Sequence, residues 1–197
     1  MKIWAFLLII IVNGGLLAQT IEEKANTAKN ANYLTEKEQK VVFYHNIARL
    51  DGEYFIKNYL EPFMAKTTEY SKNADYSTLV RELKKIKDLP VLEPAQDLTT
   101  MAKEHARTSG KTGHVGHRGY NQRSDKYCKD YSHYSENCDY GVDDPLEVVI
   151  DLLIDEGVSS KGHRKNILDP KVNTIGVGYA PHKTYDVNVV CEFGKKK

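Results

Sequence analysis

The chain has 197 residues, of which 28% are charged and 41% hydrophobic, and its formal net charge is +1. Its length suits one domain with a substantial core. A nucleic-acid-binding protein usually presents a strongly basic surface, so a charge this close to zero predicts no nucleic-acid partner.

The N-terminal residues have the pattern of a secretory signal. Lys2 supplies a positive start, residues 4–12 form an uninterrupted apolar run, and residues 17–19 offer a cleavage point after Ala18. The apolar run is too short to span a bilayer, and no second run of this kind follows. We therefore predict a signal peptide over residues 1–18 and a secreted, extracellular protein without a transmembrane segment.

Residues 19–36 are polar and show little periodicity, so we predict a flexible lead-in. From about residue 36 to residue 64 the apolar side chains recur at helical spacing. The Asp51-Gly52 pair is expected to divide this stretch into two helices.

Two further helices are predicted before a long irregular region. A short amphipathic helix is expected around residues 79–86, and another over residues 95–109 with Gly110 as its stop. His105 lies on the apolar stripe of the second helix, and we interpret it as a packed histidine. Residues 110–142 are rich in Gly, Tyr, His and Asp. Such a long connection in a compact domain is often functional.

The stretch DDPLEVVIDLLIDEG, residues 143–157, predicts a helix with explicit ends. Asp144 can cap its N-terminus and Pro145 suits the first helical position. Gly157 is expected to end the helix in a left-handed conformation.

Two acids lie at the end of this predicted helix, where their charge opposes the helix dipole. They are Asp155 and Glu156, and the loop that follows carries His163. Together these residue types suggest a metal or proton-transfer site. The alternative is that both acids are solvated and His163 is a surface residue.

The chain ends in two segments with strand character, over residues 174–180 and 185–193. The short turn between them favours an antiparallel hairpin. Helices followed by a late hairpin predict an α+β fold or a layered α/β/α domain.

The three cysteines, Cys128, Cys138 and Cys191, leave their pairing open. In an oxidising compartment we expect one disulfide and one remaining thiol. Cys138 can pair with Cys128, which is close in sequence, or with Cys191. The chain has no C-x-x-C pair, which excludes a zinc finger.

The histidines and acids of residues 110–142 form a candidate site together with Asp155, Glu156 and His163. His114, His117 and Glu136 lie in this region. Imidazole and carboxylate groups bind zinc and similar cations, and they also serve as acids and bases near neutral pH. No compact H-E-x-x-H spacing occurs, so the fold must bring distant segments together. We interpret His117 as an ordinary loop residue, and the alternative is an extra ligand three residues beyond His114.

Several segments, in this order, resemble the CAP superfamily, which includes cysteine-rich secretory proteins, venom antigens and plant pathogenesis-related proteins. The resemblance is to the compact SCP form, and it implies that residues 37–197 are a CAP domain. The matching segments are HNIAR (45–49), GH (113–114), EN (136–137), LLIDEG (152–157), GHRKNIL (162–168) and IGVG (175–178).

The resemblance implies a three-layer α-β-α sandwich with a C-terminal antiparallel hairpin and a central cleft. Carried over by motif, the cleft holds His114, His163 and Glu136. Its second acid is taken as Glu156, with Asp155 as the alternative. The four side chains are the predicted metal ligands, with zinc as the favoured ion.

Three hypotheses about function remain open from the sequence. The first is a monomeric extracellular binding module that holds a divalent cation and engages a lipid, a sterol or a surface protein. The alternative is a metal-dependent secreted hydrolase or protease, with Glu136 or Glu156 as its catalytic base. The third is a structural cleft in which the histidines and acids bond to one another and hold no ligand. A fold does not fix a function, so the choice depends on the site.

Overall fold

The computed structural model describes residues 19–67 and 73–197, so the signal-peptide prediction for residues 1–18 lies outside the described residues. The helices and strands are α1 (Ile21–Ala25), α2 (Glu36–Leu50), α3 (Gly52–Phe55), α4 (Glu61–Met64), α5 (Ala74–Leu83), β1 (Glu93–Pro94), α6 (Gln96–Thr112), α7 (Tyr120–Tyr127), β2 (Tyr131–Tyr140), α8 (Pro145–Ile154), α9 (Gly162–Ile167), β3 (Thr174–His182) and β4 (Asp186–Lys196). Within the two described ranges, no helix has the length and apolar character needed to cross a membrane.

The four strands form one mixed sheet in the order β1-β3-β4-β2. The predicted hairpin is confirmed, because β3 and β4 pair antiparallel. Strand β4 is the last in chain order, yet it lies between β3 and β2 inside the sheet. Its other neighbour, β2, is an edge strand that pairs antiparallel with it and brings Glu136 opposite Glu192.

Helices cover both faces of this sheet, which confirms the α+β sandwich. Helix α6 packs against β3 and β4, while α2 packs on β3 and α8 packs on β2 and α2. Gly176 and Gly178 of β3 face α6, and a Cβ on Gly176 would lie 2.1 Å from the backbone carbon of Leu98. Ile175 and Val177 alternate with them and belong to the main core. Glycine therefore allows the backbones of α6 and β3 to touch.

Arg49, near the end of α2, is a buried residue whose side chain joins several segments of the chain. Its guanidinium donates hydrogen bonds to the carbonyl oxygens of Pro90, Ile167, Asp169 and Val172, at 2.6 to 3.0 Å. Three of these carbonyls lie outside helices and strands, and that of Ile167 lies at the end of α9, where a helix leaves its last carbonyl groups unpaired. The side chain thus satisfies backbone groups that burial would otherwise leave unpaired.

Residues 19–36, predicted to be a flexible lead-in, contain helical structure with buried residues. Helix α1 is followed by a 3₁₀ turn, Thr27–Asn30, and both Ala25 and Ala28 are buried. Asn46 of α2 donates to the Ala25 carbonyl oxygen at 3.1 Å. Two elements this short cannot show a hydrophobic period, so the sequence pattern gave no signal.

Helix α6 runs past the predicted stop. Gly110 lies inside the helix, and a Cβ there would come within 2.1 Å of the Pro181 carbonyl oxygen. The left-handed residue that ends α6 is Gly113, with φ 73°. Gly110 therefore serves close packing, whereas Gly113 serves termination.

Residues 110–142 are not irregular, because they contain α7 and β2. Strand β2 was not predicted, because polar side chains occupy its buried positions. Glu136, Asn137 and Asp139 are all buried in it. A strand with polar residues in the interior lacks the apolar alternation from which strands are recognised.

Helix α8 begins as predicted and ends earlier. The Asp144 carboxylate accepts hydrogen bonds from the backbone of Leu146 and Glu147 at 2.9 and 3.0 Å, and Pro145 follows it. The helix ends at Ile154, and Asp155 takes the left-handed conformation with φ 54°. The prediction that Gly157 provides this cap is therefore wrong.

All three cysteines are free and buried, so the expected disulfide is not formed. Cys138 stands opposite Val190 in the sheet, whereas Cys191 stands opposite Asn137. Successive side chains of a strand point to opposite faces, so Cys138 and Cys191 are separated by the sheet. Cys128 lies apart, with its Sγ 3.6 Å from the Met101 sulfur.

The buried side chain of His45 in α2 leads us to expect that the folded protein loses stability in acid. Its Nδ1 lies 2.7 Å from the Val41 carbonyl oxygen, and burial lowers its pKa to about 4. The unfolded chain binds this proton at a pKa of about 6.5, so between pH 6.5 and 4 the unfolded state carries more protons. The free energy of unfolding should therefore fall by up to about 3 kcal/mol as pH drops through this window.

Urea unfolding of the parent and of His45→Gln at pH 7 and pH 4.5 checks this expectation. The glutamine keeps a donor for the Val41 carbonyl but does not titrate. The parent should lose more stability than the variant on acidification. Equal losses in the two proteins would contradict the assignment to His45.

Candidate functional site

Glu136 is the centre of the candidate site, and polar side chains hold it on the face of β2 that packs against α6. It is 6% exposed. Its Oε1 lies 2.7 Å from His117 Nδ1 and 3.9 Å from His105 Nε2. Its Oε2 accepts a hydrogen bond from Arg123 at 2.5 Å. The carboxylate therefore joins β2, α6, α7 and the loop between the two helices.

A second carboxyl group, Glu192 of β4, stands directly opposite Glu136 and is 1% exposed. Burial and the charge of Glu136 raise the pKa of Glu192 well above its usual range. Burial also opposes ionisation of Glu136, but His117, Glu192, His105 and Arg123 outweigh it and lower the pKa of Glu136 to about 2. The pair thus carries one proton and one negative charge.

Among the described residues, one group of metal-binding side chains converges. Ligand atoms of His105, Glu136 and Cys138 lie within 4.8 Å of one another. His117 extends the group, because its Nδ1 is 3.8 Å from the Cys138 sulfur. We name these four residues the Glu136 cluster.

The donors of the Glu136 cluster fit the metal that the sequence resemblance implies. Two imidazoles, a carboxylate and a sulfur are the ligand types of zinc. Burial lowers the pKa of His105, which favours the neutral ring that binds metal. Burial raises the pKa of Cys138 well above its usual range, so this sulfur would have to release a proton on binding. Arg123, which donates to Glu136, is the positively charged side chain next to the proposed metal position.

The loop between α6 and α7 is fixed at Gly116, which positions His117. The His105 Nε2 lies 2.9 Å from the Gly116 carbonyl oxygen, and the Gly116 amide donates to the Tyr140 hydroxyl at 2.8 Å. Helix α6 and strand β2 therefore both hold the loop. His105 has a structural contact as well as its place in the cluster.

His114, the predicted first histidine, does not hydrogen-bond to Glu136 in the described chain. It is exposed and lines a cavity of about 620 Å³ between α6 and α7. Gly113 ends helix α6 immediately before it. The side chain that reaches Glu136 lies three residues further along the chain. His117, interpreted from the sequence as a loop residue, takes the position beside Glu136.

Asp155, the alternative acid, is the one that contacts His163. It is buried, and its Oδ1 lies 2.8 Å from His163 Nδ1 while its Oδ2 accepts the His163 backbone amide at 2.9 Å. The preferred acid, Glu156, is exposed and accepts a hydrogen bond from Asn73 instead. The left-handed turn at Asp155 directs its carboxylate back to α9.

Asparagine side chains join the Asp155–His163 pair to β2. Asn137 donates to the His163 carbonyl oxygen at 3.0 Å and accepts from Asn166 at 2.8 Å. Asn137 and Glu136 are consecutive, so their side chains leave opposite faces of the strand. The predicted four-residue set is therefore divided between two faces of β2, and whether it binds a cation stays a prediction.

Arg164 is a structural residue. Its guanidinium is buried and donates to the carbonyl oxygens of Leu153, Ile154 and Asp75 at 2.7 to 3.0 Å. Leu153 and Ile154 end α8, where carbonyl groups have no partner within the helix. Arg164 thus fixes the turn that places Asp155 and His163.

The arrangement does not form a thiol triad. In such a triad one ring nitrogen of the histidine bonds to the acid and the other activates the nucleophile. Here His117 Nδ1 is the atom close to both Glu136 and Cys138. The raised pKa also keeps Cys138 protonated and a poor nucleophile.

Comparisons with known proteins give the fold's relatives. Venom allergen-like protein 4 from Schistosoma mansoni is 14% identical, with a TM-score of 0.50 over 83% of this chain and 91% of that one. An outer surface protein from Borrelia burgdorferi is 23% identical, with a TM-score of 0.48 over 65% and 97% of the two chains.

An extracellular protein from Bacillus anthracis that contains an SCP domain is also 23% identical. Its TM-score is 0.46, and the match covers 55% of this chain and 35% of that one, so the chain spans about a third of that relative's length. No curated protein matches the sequence. The model of the cysteine-rich secretory protein family matches residues 42–193. The chain belongs to this family, the CAP family.

Proposed function

We propose that this chain is an extracellular binding module whose CAP domain holds a divalent cation, with zinc as the favoured ion, at the Glu136 cluster. The observation that carries the proposal is the convergence of His105, Glu136 and Cys138 in the interior, with their ligand atoms within 4.8 Å of one another. These three side chains offer nitrogen, oxygen and sulfur to one point, and all three are ligand types of zinc.

A bound zinc ion would supply an electrophilic centre and a link between three elements. His105 belongs to α6, His117 to the loop after it, and Glu136 and Cys138 to β2. These residues would be its protein ligands. The four residues proposed from the sequence, His114, His163, Glu136 and Glu156, share only Glu136 with this set.

Export of the chain is part of the proposal and rests on the sequence pattern of residues 1–18, together with membership of a family described as secretory. The partner is proposed to be a lipid, a sterol or an extracellular protein. The arrangement of His117 and Cys138 does not favour a cysteine hydrolase, and the metal-dependent hydrolase stays the alternative.

Zinc titration of metal-free protein tests the cation site. We expect one saturable zinc site in the parent, and Cys138→Ala and Glu136→Gln should each weaken zinc binding by about tenfold or more. Glu156→Gln is the matched control, since this acid is exposed and outside the cluster. It should leave the affinity unchanged.

The same titration separates the two ligand sets. If His114→Ala, His163→Ala and Glu156→Gln weaken binding while Cys138→Ala does not, the set proposed from the sequence binds the metal. If the parent binds no zinc saturably, the cation proposal fails. Folding of every variant is checked by circular dichroism before titration.

A further inference from the structure

The cavity between α6 and α7, which we name the α6–α7 cavity, lies beside the Glu136 cluster and is rich in hydrogen-bond donors. Its volume is about 620 Å³, and its lining includes the side chains of His114, Arg118, Gln122 and Arg123. Two of these residues are arginines, which bind oxyanions through a planar fork of N–H groups.

Arg123 lines this cavity, and two of its five N–H groups have partners in the described chain. It is 7% exposed, its Nη1 donates to the Arg118 carbonyl oxygen at 2.6 Å, and its Nη2 donates to Glu136. Each of these terminal nitrogens carries a second N–H, which leaves the guanidinium donors for an acceptor that a ligand supplies.

Arg118 adds a cationic group that nothing else neutralises in the described chain. It is exposed, and its guanidinium forms no ion pair or hydrogen bond within residues 19–67 and 73–197. The acid at the cavity, Glu104, is already paired with Lys126 at 3.0 Å and accepts from the Tyr127 hydroxyl at 2.6 Å. The charge available to a ligand is therefore positive.

The helix wall of the cavity supplies acceptors. The hydroxyls of Thr108 and Thr112 donate to backbone carbonyl oxygens of α6 at 2.8 and 2.9 Å, and both residues line the cavity. Their oxygens keep lone pairs that can accept hydrogen bonds from a ligand's hydroxyl groups. One end of the ligand is thus matched by cations and its remainder by acceptors.

We propose that the α6–α7 cavity binds the phosphate monoester of a small polyol. The phosphate group lies between Arg118 and Arg123, and the polyol hydroxyls lie along Thr108 and Thr112. The cavity is larger than inorganic phosphate needs, since small-molecule sites begin at roughly 300 Å³. This site adjoins the Glu136 cluster, because His105 lines the cavity and Arg123 donates to Glu136, but it binds a ligand of the opposite charge.

Calorimetric titration with glycerol 3-phosphate tests this site, at constant ionic strength and with a chelator present so that no metal serves as the anion's ligand. We expect saturable binding by the parent and a loss of about tenfold or more in Arg118→Gln. Arg107→Gln is the matched control, because Arg107 is an exposed arginine of α6 that does not line this cavity. It should bind like the parent.

Arg123→Lys keeps the charge, removes the fork and should also weaken binding. Inorganic phosphate should bind more weakly than glycerol 3-phosphate. Co-sedimentation with phosphatidic acid vesicles distinguishes the source: binding that Arg118→Gln abolishes assigns the phosphate to a lipid headgroup, and its absence assigns it to a soluble ester. No saturable binding of the ester, or equal losses in Arg118→Gln and Arg107→Gln, overturns the proposal. Zinc affinity is measured separately in Arg118→Gln, which lies outside the Glu136 cluster and should bind zinc like the parent.

Discussion

Replacing Arg49 with methionine is expected to lower the free energy of unfolding by about 3–5 kcal/mol. The guanidinium is fully buried and donates to four carbonyl oxygens, those of Pro90, Ile167, Asp169 and Val172. Methionine fills a similar length but donates nothing, so these acceptors would stay buried and unpaired. Each unsatisfied group costs about 1–3 kcal/mol, and water that enters can recover part of this.

Urea unfolding followed by circular dichroism measures the loss. Arg107→Met is the control, because the same substitution at an exposed position of α6 removes charge without removing buried bonds. Its effect should stay within about 0.5 kcal/mol. Equal effects of the two substitutions would show that the carbonyl contacts of Arg49 contribute little.

Gly176→Ala is expected to destabilise the protein by about 3 kcal/mol or more. An alanine Cβ would lie 2.1 Å from the Leu98 carbon and 2.2 Å from the Thr99 nitrogen. Both atoms are backbone, so relief requires α6 to move away from β3. That movement would open the layer in which His105 meets Glu136.

Gly162→Ala is the matched control, since a Cβ there meets only the Ser160 hydroxyl oxygen at 3.5 Å, an ordinary contact. Chemical unfolding of both variants at pH 7 makes the comparison. We expect the control to unfold like the parent. A Gly176→Ala protein as stable as the parent would mean that α6 and β3 separate at little cost.

Long patterned elements were predictable from the sequence. The capped start of α8, the division at Asp51 and the β3–β4 hairpin were all predicted, because each has a strong local signal in its side chains or its turn. The family resemblance supplied the sandwich. Strand β2 was not predictable, since Glu136, Asn137 and Asp139 occupy buried positions where apolar residues would signal a strand.

The segments that form the site were predictable from the sequence. The side chains that contact each other within it were less so. Glu136 and His163 were identified, yet their immediate partners are His117 and Asp155. Both partners depend on backbone conformation, because each follows a left-handed residue or adopts that conformation itself. A shift of one to three residues around such a turn changes which side chain reaches the strand.

The position of β4 has a consequence for how the nascent chain matures. Ribosomes make residues 131–140 first, but the partner that completes that segment is residues 186–196, which also sit next to β3. Until β4 has been made, Glu136 has no Glu192 opposite it. The unpaired edge of β2 can then pair with a strand of another chain. The Glu136–Glu192 pair therefore forms late in synthesis, after residues 186–196 have been made.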